Sequence, residues 1–139
     1  MNSVLITGAN RGLGLALSLE FSSCDYELYL VVRTESSKID LFQALPNANI
    51  LVCDVTSDKY EEILFEWLND IALDIIINNA GSGTKAPTLA STKATFLRKE
   101  FDSNCVGVLS TVKGALVSLK RKPNSLVINI SSRRGSLTM

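Results

Sequence analysis

The sequence predicts an α/β fold in which helices cover both faces of one parallel sheet. The chain has 139 residues, which suits a single domain spanning residues 1–139. Hydrophobic residues make up 46% of the chain, which is enough to fill a core. Short apolar runs alternate along the chain with longer segments of helical period. This alternation is typical of a doubly wound sheet whose parallel strands are joined by crossover helices.

The first part of the chain is predicted to form three strands and two helices. The strands are Val4–Thr7, Tyr26–Val32 and Asn49–Val52. The helices are Gly12–Ser23 and Ile39–Leu45, and Pro46 closes the second. The first helix is expected to place its apolar side chains on one stripe, made of Leu13, Ala16, Leu17 and Phe21.

The second part of the chain is predicted to contain two helices and two further strands. A helix carrying Ile63, Leu64, Trp67 and Leu68 is expected to begin near Thr56–Asp58, with a capping box from Asp58 to Glu61. A fourth strand, Asp74–Ile77, leads into a turn and a polar loop that holds Gly83 and Pro87. A long helix over Ser91–Arg121, with a weak point near Asn104 and Gly107, precedes a fifth strand, Leu126–Ile130.

The composition excludes several classes of function. Fourteen basic and fourteen acidic residues cancel, so neither nucleic acid nor an anionic membrane is an expected partner. The absence of histidine excludes Ser-His-Asp hydrolases and His-ligated zinc sites. The cysteines, Cys24, Cys53 and Cys105, have no metal-binding spacing, so we expect no metal and predict buried free thiols. The sequence shows neither a leader nor an apolar run long enough for a membrane span, which favours a cytoplasmic protein.

The strongest signal for function is the segment Thr7-Gly8-Ala9-Asn10-Arg11-Gly12-Leu13-Gly14, between the first predicted strand and helix. Gly8 permits a tight turn, Gly12 lets the backbone approach a pyrophosphate, and Gly14 lets the helix pack closely. The N-terminus of the helix presents free N–H groups and the positive end of its dipole. The segment therefore predicts a Rossmann-like dinucleotide site, with an ordinary glycine turn as the alternative.

The Gly-x3-Gly-x-Gly spacing resembles that of the short-chain dehydrogenase/reductase family, and further motifs follow in the family's order. Asp54-Val55 resembles its adenine-contacting aspartate, and Asn78-Asn79-Ala80-Gly81 its Asn-Asn-Ala-Gly motif. Asn104 falls where the family keeps its active-site asparagine. Val127–Ser132, followed by Gly135, resembles the strand that delivers the catalytic serine, and the Ser-x-x-Gly spacing favours Ser132 over Ser131. Within the family, the opening and final segments look most like the small carbonyl reductases.

The resemblance implies hydride transfer between a nicotinamide coenzyme and a carbonyl or alcohol. Ser132 would polarise the carbonyl, and Asn104 would help hold a water that relays the proton. The implied coenzyme contacts are Thr7, Gly8, Asn10, Arg11, Gly12, Leu13, Gly14, Arg33, Asp54, Val55, Asn79, Ala80 and Gly81. Structural alternatives stay open, because Asp54 could merely end a strand, Asn78 form a turn and Asn104 lie on a helix surface.

Coenzyme preference depends on the end of the second predicted strand. An acidic residue there suits the ribose of NAD, whereas arginine suits the 2′-phosphate of NADP. The sequence has Arg33 at that point and a second arginine, Arg11, within the glycine turn. Glu35 lies nearby and would reduce the benefit. We therefore predict NADP(H) over NAD(H).

The family's proton-transfer pair, Tyr-x-x-x-Lys, is absent from the chain. It follows the serine by about a dozen residues in the family, and only seven residues follow Ser132 here. Tyr29 is expected to be a strand residue and Tyr60 to lie on a surface helix, so neither replaces it. The chain thus resembles a C-terminally truncated member of the family. An apolar edge at Leu126–Ile130 and an uncovered helix face around Leu97, Phe101 and Val108 would then favour self-association.

Three interpretations remain open from the sequence. The chain is the coenzyme-binding part of a short-chain oxidoreductase, inactive alone, or a non-catalytic dinucleotide-binding or interaction module. The third is a truncated relic without function. An in-frame Tyr-x-x-x-Lys beyond codon 139 would favour the first interpretation.

Overall fold

A computed structural model describes residues 1–83 and 88–132, and a five-stranded parallel sheet lies at its centre. The strands are β1 (Ser3–Thr7), β2 (Glu27–Val32), β3 (Asn49–Val52), β4 (Ile75–Asn78) and β5 (Leu126–Asn129). The helices are α1 (Gly12–Ser23), α2 (Glu35–Ala44), α3 (Tyr60–Leu68), α4 (Ala94–Phe101), α5 (Gly107–Gly114) and α6 (Leu116–Lys120). A 3-10 turn, Leu89–Ser91, precedes α4, and a π turn, Asp102–Val106, joins α4 to α5.

The strand order β3-β2-β1-β4-β5 is that of a Rossmann-like doubly wound sheet, as predicted. The chain adds β2 and β3 on one side of β1 and then returns to add β4 and β5 on the other. Because the winding direction reverses at β1, the connections that follow β1 and β4 run to opposite faces of the sheet and leave a crevice at the carboxyl ends of the strands.

Apolar side chains on the two faces of the sheet form two separate cores. Alternate residues of β1 point to opposite faces, so Leu5 joins the cluster under α3 and α5, whereas Val4 and Ile6 join the cluster under α1 and α2. All three side chains are fully buried. Burial on both faces explains why these strands read as continuous apolar runs.

The structure corrects the predicted contacts of α1 and the predicted beginning of α2. Of the predicted apolar stripe, Leu17 and Phe21 are partly buried against the core, whereas Leu13 is 52% exposed and Ala16 is also exposed. The buried positions of α1 are Gly14 and Ser18, and at Gly14 the helix approaches the preceding turn too closely for a side chain. α2 begins at Glu35, before the predicted Ile39, because the Thr34 hydroxyl accepts the Ser37 N–H at 3.2 Å and caps the helix.

The predicted capping box at the start of α3 is wrong. α3 begins at Tyr60 after Lys59, and no side chain caps it in the part of the chain that the structure describes. Tyr60 itself is buried rather than exposed at the surface. The segment before α3 is instead organised by Asp54, whose Oδ1 accepts hydrogen bonds from the N–H and hydroxyl of Thr56 at 2.9 and 2.8 Å.

The expected burial of the cysteines is also wrong. Cys24 ends α1 and Cys105 lies in the π turn, and both are exposed, whereas Cys53 is half-buried after β3. All three are free thiols, as expected.

The predicted weak point of the long helix coincides with the π turn, which holds Asn104 and ends at Gly107. Within residues 1–83 and 88–132, no helix combines the length and apolar character that crossing a membrane requires. Pro87 of the predicted polar loop and Gly135 of the Ser-x-x-Gly spacing lie outside the described residues.

Candidate functional site

A cleft of about 660 Å³ opens at the carboxyl ends of the first four strands. Its walls are the β1–α1 turn, the ends of β2 and β3, the loop after β4 and one residue of the π turn. The lining residues are Gly8, Asn10, Arg11, Gly12, Leu13, Val31, Val32, Arg33, Thr34, Ser37, Cys53, Asp54, Val55, Asn79, Ala80, Gly81, Ser82, Gly83 and Ser103. The crevice at the switch point of a doubly wound sheet is where ligands bind in this architecture.

The β1–α1 turn depends on glycine at two points in two different ways. Gly12 has a φ of +54°, and a Cβ built there would meet nothing within 4 Å, so the backbone is exposed to the cleft. A Cβ on Gly14 would overlap the Gly8 carbonyl oxygen and lie 2.5 Å from Asn79 Nδ2. Gly12 thus leaves room for a ligand, and Gly14 lets α1 begin against the turn.

The turns after β1 and β4 are tied together by Thr7 and Asn79. The buried Thr7 hydroxyl oxygen accepts the N–H groups of Asn79 and Ala80 at 3.1 and 3.0 Å. The Asn79 amide donates to the carbonyl oxygens of Thr7 and Gly8, both at 3.1 Å. These four hydrogen bonds hold the two sides of the cleft at a fixed separation.

The N-terminus of α1 can accommodate an anion. Arg11 precedes the helix in extended conformation, and no side chain caps the first turn among the described residues. The backbone N–H groups of a first turn have no partner within their helix, and the helix dipole adds positive potential there. With open space beside Gly12, this geometry fits the diphosphate of a dinucleotide.

Charged groups lie at the end of the cleft formed by β2 and β3. Arg33 and Asp54 both line it, and Arg33 is exposed. Burial acts to raise the pKa of Asp54, but hydrogen bonds from Thr56 and the positive charges of Arg33 and Lys99 outweigh burial. The pKa of Asp54 therefore lies below its usual value, and the carboxylate is ionised at neutral pH.

Asn104 borders the cleft through the loop after β4. Its Oδ1 accepts the Ser82 N–H, and its Nδ2 donates to the Ser82 carbonyl oxygen, both at 2.9 Å. A Cβ on Gly81 would lie 3.0 Å from Asn104 Oδ1, so the loop passes close to the π turn. Asn104 is exposed, and its side-chain amide is hydrogen-bonded to the Ser82 backbone.

The structure gathers most of the predicted site residues around one cleft. Thr7 and Gly14 lie behind the wall and shape it, and Ser132 is exposed after β5 and does not line the described cleft. Sequence reasoning missed the lining residues Val31, Val32, Thr34, Ser37, Cys53, Ser82, Gly83 and Ser103. Thr34 and Ser37 carried a signal, because a Thr-x-x-Ser pattern after an apolar strand is typical of a helix start.

The whole of residues 2–139 matches the family model described as short chain dehydrogenase. The chain belongs to the short-chain dehydrogenase family. Among curated members it is 31% identical to the L-fucose dehydrogenase of Oryctolagus cuniculus over 136 residues, covering 96% of this chain and 48% of that protein. It is 28% identical to the "Uncharacterized oxidoreductase DltE" of Bacillus subtilis (strain 168), covering 94% of this chain and 53% of that protein.

Solved structures of the family have the same arrangement. The structure "ElxO with NADP Bound" superposes with a TM-score of 0.84 at 28% identity, and the match covers 94% of this chain and 55% of that one. The chain therefore spans about half the length of the relatives that it matches. What it shares with them is the half that contains the five-stranded sheet.

Proposed function

We propose that this chain is the coenzyme-binding part of a short-chain oxidoreductase that transfers hydride between NADP(H) and a carbonyl or alcohol. The observation that carries the proposal is the first turn of α1, which has no side-chain cap and opens at Gly12 into the cleft. Bound there, the dinucleotide would supply the hydride. The diphosphate is proposed to lie on the α1 N-terminus, with the adenosine towards Asp54 and Val55.

A preference for NADP(H) is supported by the positive charge at the adenosine end of the cleft. Arg11 and Arg33 both line the cleft, and Lys99 lies close enough to act on Asp54. Charge-assisted hydrogen bonds from arginine to a phosphate contribute roughly 1.5–3 kcal/mol each. The 2′-phosphate of NADP, which NAD lacks, would receive these contacts.

The test of both proposals is titration of the chain with NADPH and NADH by calorimetry. We expect NADPH to bind at least about tenfold more tightly, since one charge-assisted bond exceeds the 1.4 kcal/mol of a tenfold change. Arg33→Asp should abolish or reverse the preference, whereas Arg121→Asp, at a surface ion pair with Asp70, should preserve it. Equal binding of the two nucleotides by the parent chain would contradict the NADP preference, and binding of neither would contradict the proposed function.

The catalytic assignments are also proposals. Ser132 would polarise a carbonyl, and Asn104 would help hold the water that relays a proton. The 139 residues contain no Tyr-x-x-x-Lys, and Tyr26, Tyr29 and Tyr60 all precede Ser132 in the sequence, whereas the family's tyrosine follows its serine. General acid–base catalysis contributes about 10²–10⁴-fold, so we expect coenzyme binding without measurable turnover by these residues alone.

A non-catalytic dinucleotide-binding module is the second candidate, and the observation that favours it is that the described cleft is lined without Ser132. Both candidates require the same cleft, so binding alone does not separate them. Mixing the chain with the C-terminal half of a family member that contains Tyr-x-x-x-Lys would do so. NADPH-dependent reduction of a ketone panel by the mixture would favour the oxidoreductase over the module.

Self-association is proposed from two exposed apolar surfaces. On α4, Leu97 and Phe101 are one turn apart and are 59% and 60% exposed. On the edge strand β5, Leu126 and Val127 are 51% and 38% exposed. Contiguous apolar surface and an open strand edge both favour pairing with another chain.

A further inference from the structure

Tyr60 is the first residue of α3, and its side chain is completely buried. It belongs to the core cluster on the α3 and α5 face of the sheet. Cys53 and Val55 pack against the same cluster, and both of them line the cleft. Tyr60 therefore lies directly behind the part of the cleft that follows β3.

The Tyr60 hydroxyl starts a short chain of buried hydrogen bonds. Its oxygen is 2.9 Å from the hydroxyl oxygen of Thr111, which is 1% exposed. The Thr111 hydroxyl donates to the Gly107 carbonyl oxygen at 2.8 Å. A threonine hydroxyl has one hydrogen, so Tyr60 must donate to Thr111. The direction of donation is fixed from Tyr60 through Thr111 to the backbone of Gly107.

Gly107 is the junction between the π turn and α5. Its N–H donates to the Asp102 carbonyl oxygen and closes the π turn. A Cβ at this position would lie 2.9 Å from Val55 Cγ2, so the backbone is pressed against the segment after β3. Gly107 is thus held on one side by Val55 and on the other by Thr111.

The π turn in turn carries Asn104, whose two hydrogen bonds hold the backbone of Ser82. Ser82 and its neighbours Gly81 and Gly83 line the cleft. A π turn has less favourable geometry than an α-helix and persists where surrounding contacts stabilise it. The contacts of Gly107 with Val55 and Thr111 lie at the C-terminal end of this turn.

We propose that Tyr60 is a positioning residue for the cleft. Through Thr111 and Gly107 it stabilises the π turn, so that Asn104 holds the Ser82 loop at the edge of the cleft. The expected effect of Tyr60 on ligand binding rests on the proposed function. The hydrogen-bond relay itself does not depend on any ligand.

Tyr60→Phe and Tyr29→Phe make a matched pair of variants for the test. Tyr29 is also buried in the α3 and α5 core cluster, and its hydroxyl donates to Glu27 at 2.9 Å, at the opposite end of β2 from the cleft. Each variant removes one hydroxyl and one hydrogen bond. NMR hydrogen exchange of the Ser82 amide in the unliganded chain is the readout. We expect roughly fivefold faster exchange in Tyr60→Phe and no change in Tyr29→Phe, because a net hydrogen bond is typically worth about that factor.

Thr111 variants provide the rescue test. Thr111→Val should reproduce the faster Ser82 exchange, and Thr111→Ser, which keeps the hydroxyl, should restore the wild-type rate. Equal Ser82 exchange in Tyr60→Phe and Tyr29→Phe would overturn the proposal, as would faster exchange in both.

NADPH affinity extends the test to binding. Tyr60→Phe should weaken NADPH binding in the wild-type background and have no further effect in an Asn104→Ala background, since its action passes through Asn104. Additive effects of the two substitutions would overturn the proposal. Absence of NADPH binding by the wild-type chain would instead reject the proposed function, and the exchange data would still decide the role of Tyr60.

Discussion

An added methyl group at Gly14 would occupy the space of the Gly8 carbonyl oxygen. Because that oxygen also accepts the Asn79 amide at 3.1 Å, it cannot withdraw without breaking the link between the β1 and β4 turns. We expect Gly14→Ala to lower the free energy of unfolding by about 1–3 kcal/mol, the usual range for overpacking. Urea denaturation measures the effect. Gly83→Ala is the matched control, because a Cβ there meets nothing within 4 Å. Equal stability of the two variants would show that the turn can yield.

The residues of the cleft could be predicted where backbone geometry demands a residue type. Gly14 was identifiable because only glycine leaves the required space there, and Gly12 because its φ of +54° favours glycine. Tyr60 was not, since its burial depends on α5 packing over it, and Thr111 is distant in sequence. The same holds for Ser82 and Ser103, whose positions follow from the loop after β4 and from the π turn rather than from a local pattern.

At the level of elements, Asp74 joins the beginnings of β1 and β4 to the segment before β5. Its Oδ2 accepts the Ser3 N–H at 2.8 Å and is 3.1 Å from Lys122 Nζ. Burial acts to raise the pKa of Asp74, but Ser3 and Lys122 outweigh it, so the pKa is lowered on folding. A lowered carboxyl pKa stabilises the fold above the unfolded value of about 3.9, and this stabilisation is lost as pH falls through the lower folded value.

We therefore expect the free energy of unfolding to fall less steeply below about pH 4 in Asp74→Asn than in the wild type. Chemical denaturation between pH 2 and 7 measures this. Asp70→Asn is the control, because Asp70 forms an exposed ion pair with Arg121 and such pairs contribute little. A wild-type pH profile in Asp74→Asn would contradict the assignment.

Element boundaries followed the sequence where one local signal dominates. The bounds of β3 agree with the prediction, because the turn at Pro46 and Asn47 precedes the short apolar run and Asp54 follows it. The beginning of α2 was predicted too late, because the prediction relied on Ile39, the first apolar residue of the helix, and not on the Thr34 cap. The beginning of α3 was missed because Thr56, Ser57 and Asp58 are all possible caps. In the structure Thr56 donates to Asp54, and Ser57 accepts the Lys59 N–H in the turn before the helix.

At the scale of the whole molecule, the strand order follows from general rules rather than from individual residues. Five apolar strands alternating with helices leave few topologies when every crossover is right-handed. The order determines that β5 is an edge strand, bonded to β4 on one side. Among the described residues, nothing covers the apolar side chains of β5 and α4 that are exposed.

From those two surfaces we predict concentration-dependent association. Substitutions on α4 and on β5 can show which surface forms the interface. Leu97→Gln with Phe101→Gln removes the apolar surface of α4, and Leu126→Lys adds a charge to β5, where native edges often carry lysine. Sedimentation velocity over a concentration series should show self-association of the wild type, weakened at least about fivefold by whichever variant alters the interface. Phe42→Gln on α2 removes a side chain of similar exposure, 52%, from the opposite face and should leave association unchanged. If neither the α4 nor the β5 variant differs from Phe42→Gln, the association does not use these surfaces.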